Sequence, residues 1–120
     1  MQTIESSLVP LAGVIRLTES DRWRVEALPA RMAIHANSGD FPSGWLLLQA
    51  NLLAAGYDRT ARLYVDTGVD EALMPVFDLP LSAKGILIEL IKLPPGTRRL
   101  LLQPMNSLGD LHIVGFQLTK

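Results

Sequence analysis

Six polar and aromatic residues in the middle of the chain have the types and the spacing of a ligand-binding surface. They are Trp45, Gln49, Asn51, Arg62, Tyr64 and Asp66. Within each of the two segments they are an even number of residues apart, so on a β-strand they would point to the same side. Aromatic rings stack on the apolar faces of sugars, and amide, guanidinium and carboxylate groups hydrogen-bond to hydroxyls. The combination predicts a carbohydrate-binding surface on which Trp45 and Tyr64 stack.

The sequence has no motif typical of a catalytic or metal site. Its two histidines, His35 and His112, are far apart, and without cysteine there is no thiolate metal site. The sequence also lacks a Gly-x-Ser-x-Gly nucleophile motif and a glycine-rich phosphate loop. We therefore expect this domain to have no catalytic residue, no metal and no cofactor.

Acidic residues that lie close together in the sequence leave one catalytic alternative open. Asp66, Asp70, Glu71 and Asp78 include pairs that a small glycoside hydrolase could use. A hydrolase would need two of these carboxylates to face each other across a cleft. Asp66 neighbours Thr67, and Asp70 and Asp78 each lie two residues from a glycine or proline, in stretches where aspartate is an ordinary turn former.

Closely spaced prolines and glycines divide the chain into segments of strand length. This spacing predicts an all-β fold, an antiparallel, jelly-roll-like β-sandwich formed as a single domain by residues 1–120. We predict strands at Arg22–Val25, Ala33–Ala36, Arg62–Asp66, Arg99–Gln103, Leu111–Val114 and Phe116–Leu118. Gly115 would form a bulge between the last two. Ile86–Leu93 would suit a strand that is buried on both faces.

The segment Trp45–Ala55 is the hardest to assign, because leucine and alanine are also good helix formers. We predict a strand, joined by a turn at Gly56–Arg59 to the strand at Ala61–Asp66 as a β-hairpin. In this hairpin Leu46, Leu48, Ala50, Leu52, Ala61, Leu63 and Val65 would point into the core. The six candidate ligand-binding residues would then share the outward face of the two paired strands.

Composition argues against nucleic acid and membrane as partners. Eleven basic and twelve acidic residues give a net charge of −1, which does not favour nucleic-acid binding. The apolar runs are much shorter than the roughly 20 residues of a membrane span, and the N-terminus lacks the basic start of a secretory signal. The sequence thus predicts a cytoplasmic domain without a membrane span.

From Phe41 onward the chain resembles a module found at the N-terminus of large bacterial glycosyltransferases that build surface polysaccharides, often with a family 2 catalytic domain. The resemblance rests on the stretches Gly44–Leu48, Ala61–Gly68, Leu79–Gly85, Leu93–Leu100 and Gln103–Asp110. None of these stretches is a catalytic motif, and the chain has no Asp-x-Asp metal motif. The resemblance therefore implies an accessory domain beside the transferase.

Two functions fit this sequence. The first is a non-catalytic domain, the N-terminal part of a longer glycosyltransferase, that binds carbohydrate or acceptor glycan or contacts the catalytic domain of the same polypeptide. The alternative is a protein-interaction or homo-oligomerisation module without a ligand. An exposed apolar patch would favour the alternative.

Overall fold

The computed structural model describes residues 2–17, 21–54 and 60–120. The described chain forms β-strands and one short 3-10 helix at Glu71–Leu73. The strands are β1 (Ser6–Ala12), β2 (Val14–Arg16), β3 (Arg22–Val25), β4 (Arg31–Ala36), β5 (Gly44–Ala54), β6 (Thr60–Asp66), β7 (Val76–Pro80), β8 (Ile86–Leu93), β9 (Arg99–Gln103) and β10 (Gly109–Thr119). The all-β prediction is confirmed.

The strands form two antiparallel sheets packed into a sandwich. Sheet 1 has the order β1-β4-β9-β6-β7, and sheet 2 has the order β2-β3-β10-β5-β8. From β3 onward, the chain crosses to the other sheet after every strand except between β6 and β7, which are neighbours in sheet 1, and this is the order of a jelly roll. The predicted antiparallel, jelly-roll-like β-sandwich is therefore confirmed. None of the helices formed by residues 2–17, 21–54 and 60–120 has the length and apolar character needed to cross a membrane.

The predicted strand at Trp45–Ala55 is confirmed as β5, but the predicted hairpin is wrong. β5 pairs with β10 and β8 in sheet 2, whereas β6 pairs with β7 and β9 in sheet 1. The connection from β5 to β6 crosses between the sheets, so it is not a hairpin turn. The turn predicted at Gly56–Arg59 falls in residues 55–59, outside the described residues.

The core lies between the two sheets and follows the predicted alternation. Leu46, Leu48, Ala50 and Leu52 of β5 and Ala61, Leu63 and Val65 of β6 are all buried. They meet from opposite sheets, because each strand turns its apolar face towards the other sheet. Burial of these two apolar faces is a main source of the fold's stability.

Strand β8 differs from its prediction as a strand buried on both faces. It lies at the edge of sheet 2, and its side chains alternate between the core and the solvent. Leu87, Ile91 and Leu93 are buried, whereas Ile86 and Ile88 are exposed. The continuous apolar run therefore does not mark a fully buried strand, because the outer face of a two-sheet sandwich stays open to solvent.

Two glycines fix the path of sheet 2. Gly85 has a φ of +79°, and an added Cβ would lie 2.3 Å from the Leu52 carbonyl oxygen of β5. Its own carbonyl oxygen accepts a hydrogen bond from Leu52 N at 2.8 Å, which holds the start of β8 against β5. Gly115, with a φ of +65°, lies where the register between β10 and β5 shifts, so the predicted bulge is confirmed.

Candidate functional site

The six candidate ligand-binding residues do not share one surface. Trp45, Gln49 and Asn51 lie on the outer face of sheet 2, at alternate positions of β5. The other three, Arg62, Tyr64 and Asp66, lie on the outer face of sheet 1, on the opposite side of the sandwich. The structure therefore divides the predicted patch into two halves that one small ligand cannot reach together.

Trp45 is the most accessible aromatic group on the sheet 2 side. Its residue surface is 61% exposed, although tryptophan is usually among the more buried residues. Lys92, its direct partner on β8, places its Nζ 6.0 Å from the centre of the indole ring. The large exposed fraction leaves indole surface available for a stacking ligand.

A row of amides continues from Trp45 along the same face. Gln49 lies four residues after Trp45 and directly opposite Gln117 of β10, and Asn51 follows at the next outward position. The Asn51 Oδ1 atom is buried and has no hydrogen-bond partner among the described residues, so a ligand can use only the Nδ2 donors of this side chain. Gln117 was missed in the sequence because its position opposite Gln49 depends on the bulge at Gly115.

Aliphatic side chains of the edge strand border this amide row. Ile88 lies directly opposite Gln49, and Ile86 lies directly opposite Asn51. Leu90, the next outward residue, is 63% exposed and Ile88 is 59% exposed. We call the outward residues of β5, β8 and β10 the sheet 2 platform. It combines one indole, three amides and a strip of exposed aliphatic groups.

A pocket lies at the end of the sheet 2 platform that is distant from Trp45. It has a volume of about 320 Å³, and its walls include Leu53, Arg22 and His112. His112 of β10 lies directly between Leu53 of β5 and Arg22 of β3. The pocket thus adds charged and polar side chains to the far end of the same sheet face.

On the sheet 1 side, Tyr64 is already engaged in an internal contact. The Arg31 guanidinium lies 4.0 Å from the centre of the Tyr64 ring, a cation–π contact, and Arg31 also pairs with Glu71. Arg31 therefore occupies one face of the ring on which a sugar would stack. Arg62, two residues before Tyr64, is exposed and pairs with Asp78 at 3.2 Å.

Asp66 has the environment of a structural carboxylate. It is buried, and its Oδ2 accepts a hydrogen bond from Arg99 Nε at 2.7 Å. Its Oδ1 accepts one from the Gly68 backbone N–H at 2.8 Å. The Arg99 bond first, and the Gly68 bond second, lower the pKa of Asp66 below its ordinary value. Both bonds hold Asp66 in its charged form and occupy it within the fold.

Three of the four acidic residues that left a hydrolase open are paired with arginines. Asp66 pairs with Arg99, Glu71 with Arg31, and Asp78 with Arg62. For Asp66, the Arg99 hydrogen bond lowers the pKa, whereas the general acid of a hydrolase must hold a proton. Among residues 2–17, 21–54 and 60–120, no group of three or more His, Asp or Glu side chains could hold a metal ion.

Sequence comparisons give no match, whereas comparisons of structure find chains with a similar fold. No protein-family model matches the chain. No curated protein matches it by sequence either. One mutant of the family 29 carbohydrate-binding module CBM29-2 superposes with a TM-score of 0.51 at 11% identity, covering 96% of this chain and 91% of that one. Another family 29 mutant gives 0.50 at 12% identity, covering 98% and 77%.

A further CBM29-2 mutant, studied for ligand recognition, gives a TM-score of 0.50 at 11% identity and covers 82% of this chain and 69% of that one. At such low identity these likenesses concern the fold, because unrelated functions share folds of this kind. The chain is therefore similar in architecture to solved carbohydrate-binding modules: it is a two-sheet antiparallel β-sandwich.

Proposed function

We propose that the domain is a non-catalytic module that binds carbohydrate on the sheet 2 platform. The observation that carries the proposal is the exposed Trp45 indole, aligned on one strand face with the amides of Gln49 and Asn51. The indole supplies a stacking surface, and the amides supply donors and acceptors for sugar hydroxyls. The similarity in fold to family 29 carbohydrate-binding modules supports this choice.

The dimensions of the platform favour a chain of sugars over a single one. Outward positions run from Trp45 to Leu53 of β5, eight residues apart. At about 3.3 Å per residue, this is a track of roughly 26 Å. The track follows the outer face of one sheet, and its length suits an extended stretch of polysaccharide.

The role that we propose for the module is accessory to polysaccharide synthesis. Its resemblance from Phe41 onward to the N-terminal module of family 2 glycosyltransferases suggests that it holds acceptor glycan near a catalytic domain in the cytoplasm. The test is the genomic context of the chain. A transferase domain encoded directly downstream would support the role, and a neighbouring domain unrelated to glycans would contradict it.

Binding itself can be tested by titrating the 120-residue chain with a panel of bacterial surface glycans while following tryptophan fluorescence. We expect a change in emission of the wild type, and calorimetric titration should show binding that Trp45→Ala abolishes and that Gln49→Ala weakens. Arg62→Ala, on the outer face of sheet 1, is the matched control and should leave the affinity unchanged. An equal loss in Arg62→Ala would move the site to sheet 1, where Tyr64 and Asp66 also lie. No response across the panel would refute carbohydrate binding.

A second candidate function is docking of a protein surface, and the exposed aliphatic groups of β8 favour it. Ile86, Ile88 and Leu90 form an outward apolar strip on an edge strand, a feature typical of interaction surfaces. Self-association is the simplest form of this function. It predicts a concentration-dependent mass in sedimentation experiments that Ile88→Asp reduces to that of the monomer. A constant monomer mass would exclude self-association.

A further inference from the structure

We propose that the pocket formed around Arg22 and His112 binds a carboxylated sugar unit, such as a uronic acid, of the glycan held on the sheet 2 platform. This inference rests on the proposed function and adds the charge of the ligand to it. The pocket is at the end of the track opposite to Trp45, so one extended glycan would reach both.

The register of sheet 2 brings the relevant groups together. Arg22, His112 and Leu53 are direct neighbours on β3, β10 and β5. Directly opposed residues have Cβ atoms about 5 Å apart, so the guanidinium and the imidazole can contact the same small group. Leu53, which is exposed, and Leu17 add apolar walls for the C–H groups of a sugar ring. A volume of about 320 Å³ gives room for one sugar unit.

The charges around the pocket favour an anion. The acidic residue in its wall, Asp110, is engaged by Arg24, whose Nε lies 2.9 Å from Asp110 Oδ1. Arg22 is exposed, and it forms no ion pair with any residue in the ranges 2–17, 21–54 and 60–120. Because Arg24 balances the charge of Asp110, the Arg22 guanidinium makes this pocket a cationic site. The planar fork of arginine matches a carboxylate with two parallel hydrogen bonds.

The pocket is also continuous with the proposed track. The row of Leu53 and His112 is the next outward row after that of Asn51 and Val114. A polysaccharide that stacks on Trp45 and follows the amides would therefore place a later unit in the pocket. Stacking would provide affinity for many glycans, and Arg22 would select those with an acidic unit.

The test uses hexasaccharides of polygalacturonate and of polymannuronate, each beside its carboxyl-reduced neutral counterpart. We expect the chain to bind at least one acidic form about ten-fold more tightly than the neutral form, the effect of one charge-assisted pair. Arg22→Gln should remove this preference and leave the affinity for the neutral form unchanged. Because Arg22 is exposed, the variant should fold normally.

Arg62→Gln is the matched control, since it removes an exposed strand arginine from the other face and changes the net charge equally. It should keep the preference for the acidic form. Equal affinities for acidic and neutral forms, or a preference that persists in Arg22→Gln, would overturn the inference and leave the proposed function standing. Failure of every acidic and neutral oligosaccharide to bind would overturn both.

Discussion

Replacement of Asp66 by asparagine separates a structural role of this residue from a ligand-binding one. Both carboxylate oxygens are used inside the protein, Oδ1 by the Gly68 backbone N–H and Oδ2 by Arg99 Nε. Asparagine would keep one acceptor oxygen. Its NH2 group would face either the Gly68 N–H or Arg99 Nε, and both of these are themselves donors. Asp78→Asn is the matched control, because Asp78 forms the same kind of pair with Arg62 on the same face of the sandwich.

The exposure of the two pairs sets the expected magnitudes. The Asp66 side chain is 11% exposed and that of Asp78 is 71% exposed. Hydrogen bonds to charged groups that are largely shielded contribute about 1.5–3 kcal/mol, whereas exposed pairs contribute about 0–1 kcal/mol. We therefore expect Asp66→Asn to lower the free energy of unfolding by about 2 kcal/mol at pH 7. Asp78→Asn should lower it by less than about 0.5 kcal/mol.

The pH dependence gives an independent check. The pKa of Asp66 is lower in the folded protein than its ordinary value of 3.8 because of the Arg99 and Gly68 bonds. Its stabilising contribution is thus complete above the unfolded pKa and is lost as the pH falls through the folded pKa. Urea unfolding of the wild type and of Asp66→Asn should differ fully at pH 7, and the difference should shrink below about pH 4.

Two results would refute this reasoning. One is a loss of stability in Asp66→Asn that is the same at pH 3 as at pH 7, because a charge-dependent contribution must change with protonation. The other is an equal loss in Asp78→Asn, which would mean that shielding from solvent does not decide the strength of these pairs. Unchanged glycan affinity in Asp66→Asn would complete the structural assignment.

The remaining predictions compare the loss of stability on substitution of two residues of the same type that have different surroundings. Trp23 is 1% exposed, so Trp23→Ala should cost about 3–5 kcal/mol in urea unfolding, whereas Trp45→Ala should change stability by less than about 1 kcal/mol. Equal losses would contradict the exposed position of Trp45. Gly85→Ala combines a positive φ with a backbone clash and should cost about 3 kcal/mol. Gly96→Ala has a positive φ with open space around it and should cost about 1 kcal/mol in the same assay; equal costs would exclude a contribution from the clash.

Local patterns in the sequence were sufficient to predict the class of fold and the faces of individual strands. Leu46, Leu48 and Leu63 are buried as their alternation predicted, and the bulge at Gly115 follows from a single glycine in a β-rich run. These features depend on residues a few positions apart, which a sequence displays directly. β5 is a strand despite its helix-forming leucines, because it pairs with β10 along one edge and with β8 along the other.

Pairing between strands could not be predicted in the same way. The predicted hairpin joined β5 to the next strand, whereas the jelly-roll connection carries the chain to the other sheet. The crossing to the other sheet places Trp45 and Tyr64 on opposite faces of the sandwich. The neighbour of Gln49 is therefore Gln117 of β10 and not a residue of β6. The pocket at Arg22 was missed for the same reason, because β3, β5 and β10 are distant in the sequence and meet only through the topology.

The central position of β10 has a consequence for how this protein is made in the cell. β10 is the last of the described strands in chain order, yet it lies between β3 and β5 in the middle of sheet 2. Until it leaves the ribosome, both of those strands present unpaired backbone edges of the kind that promote aggregation. Sheet 2 can therefore be completed only after β10 has left the ribosome.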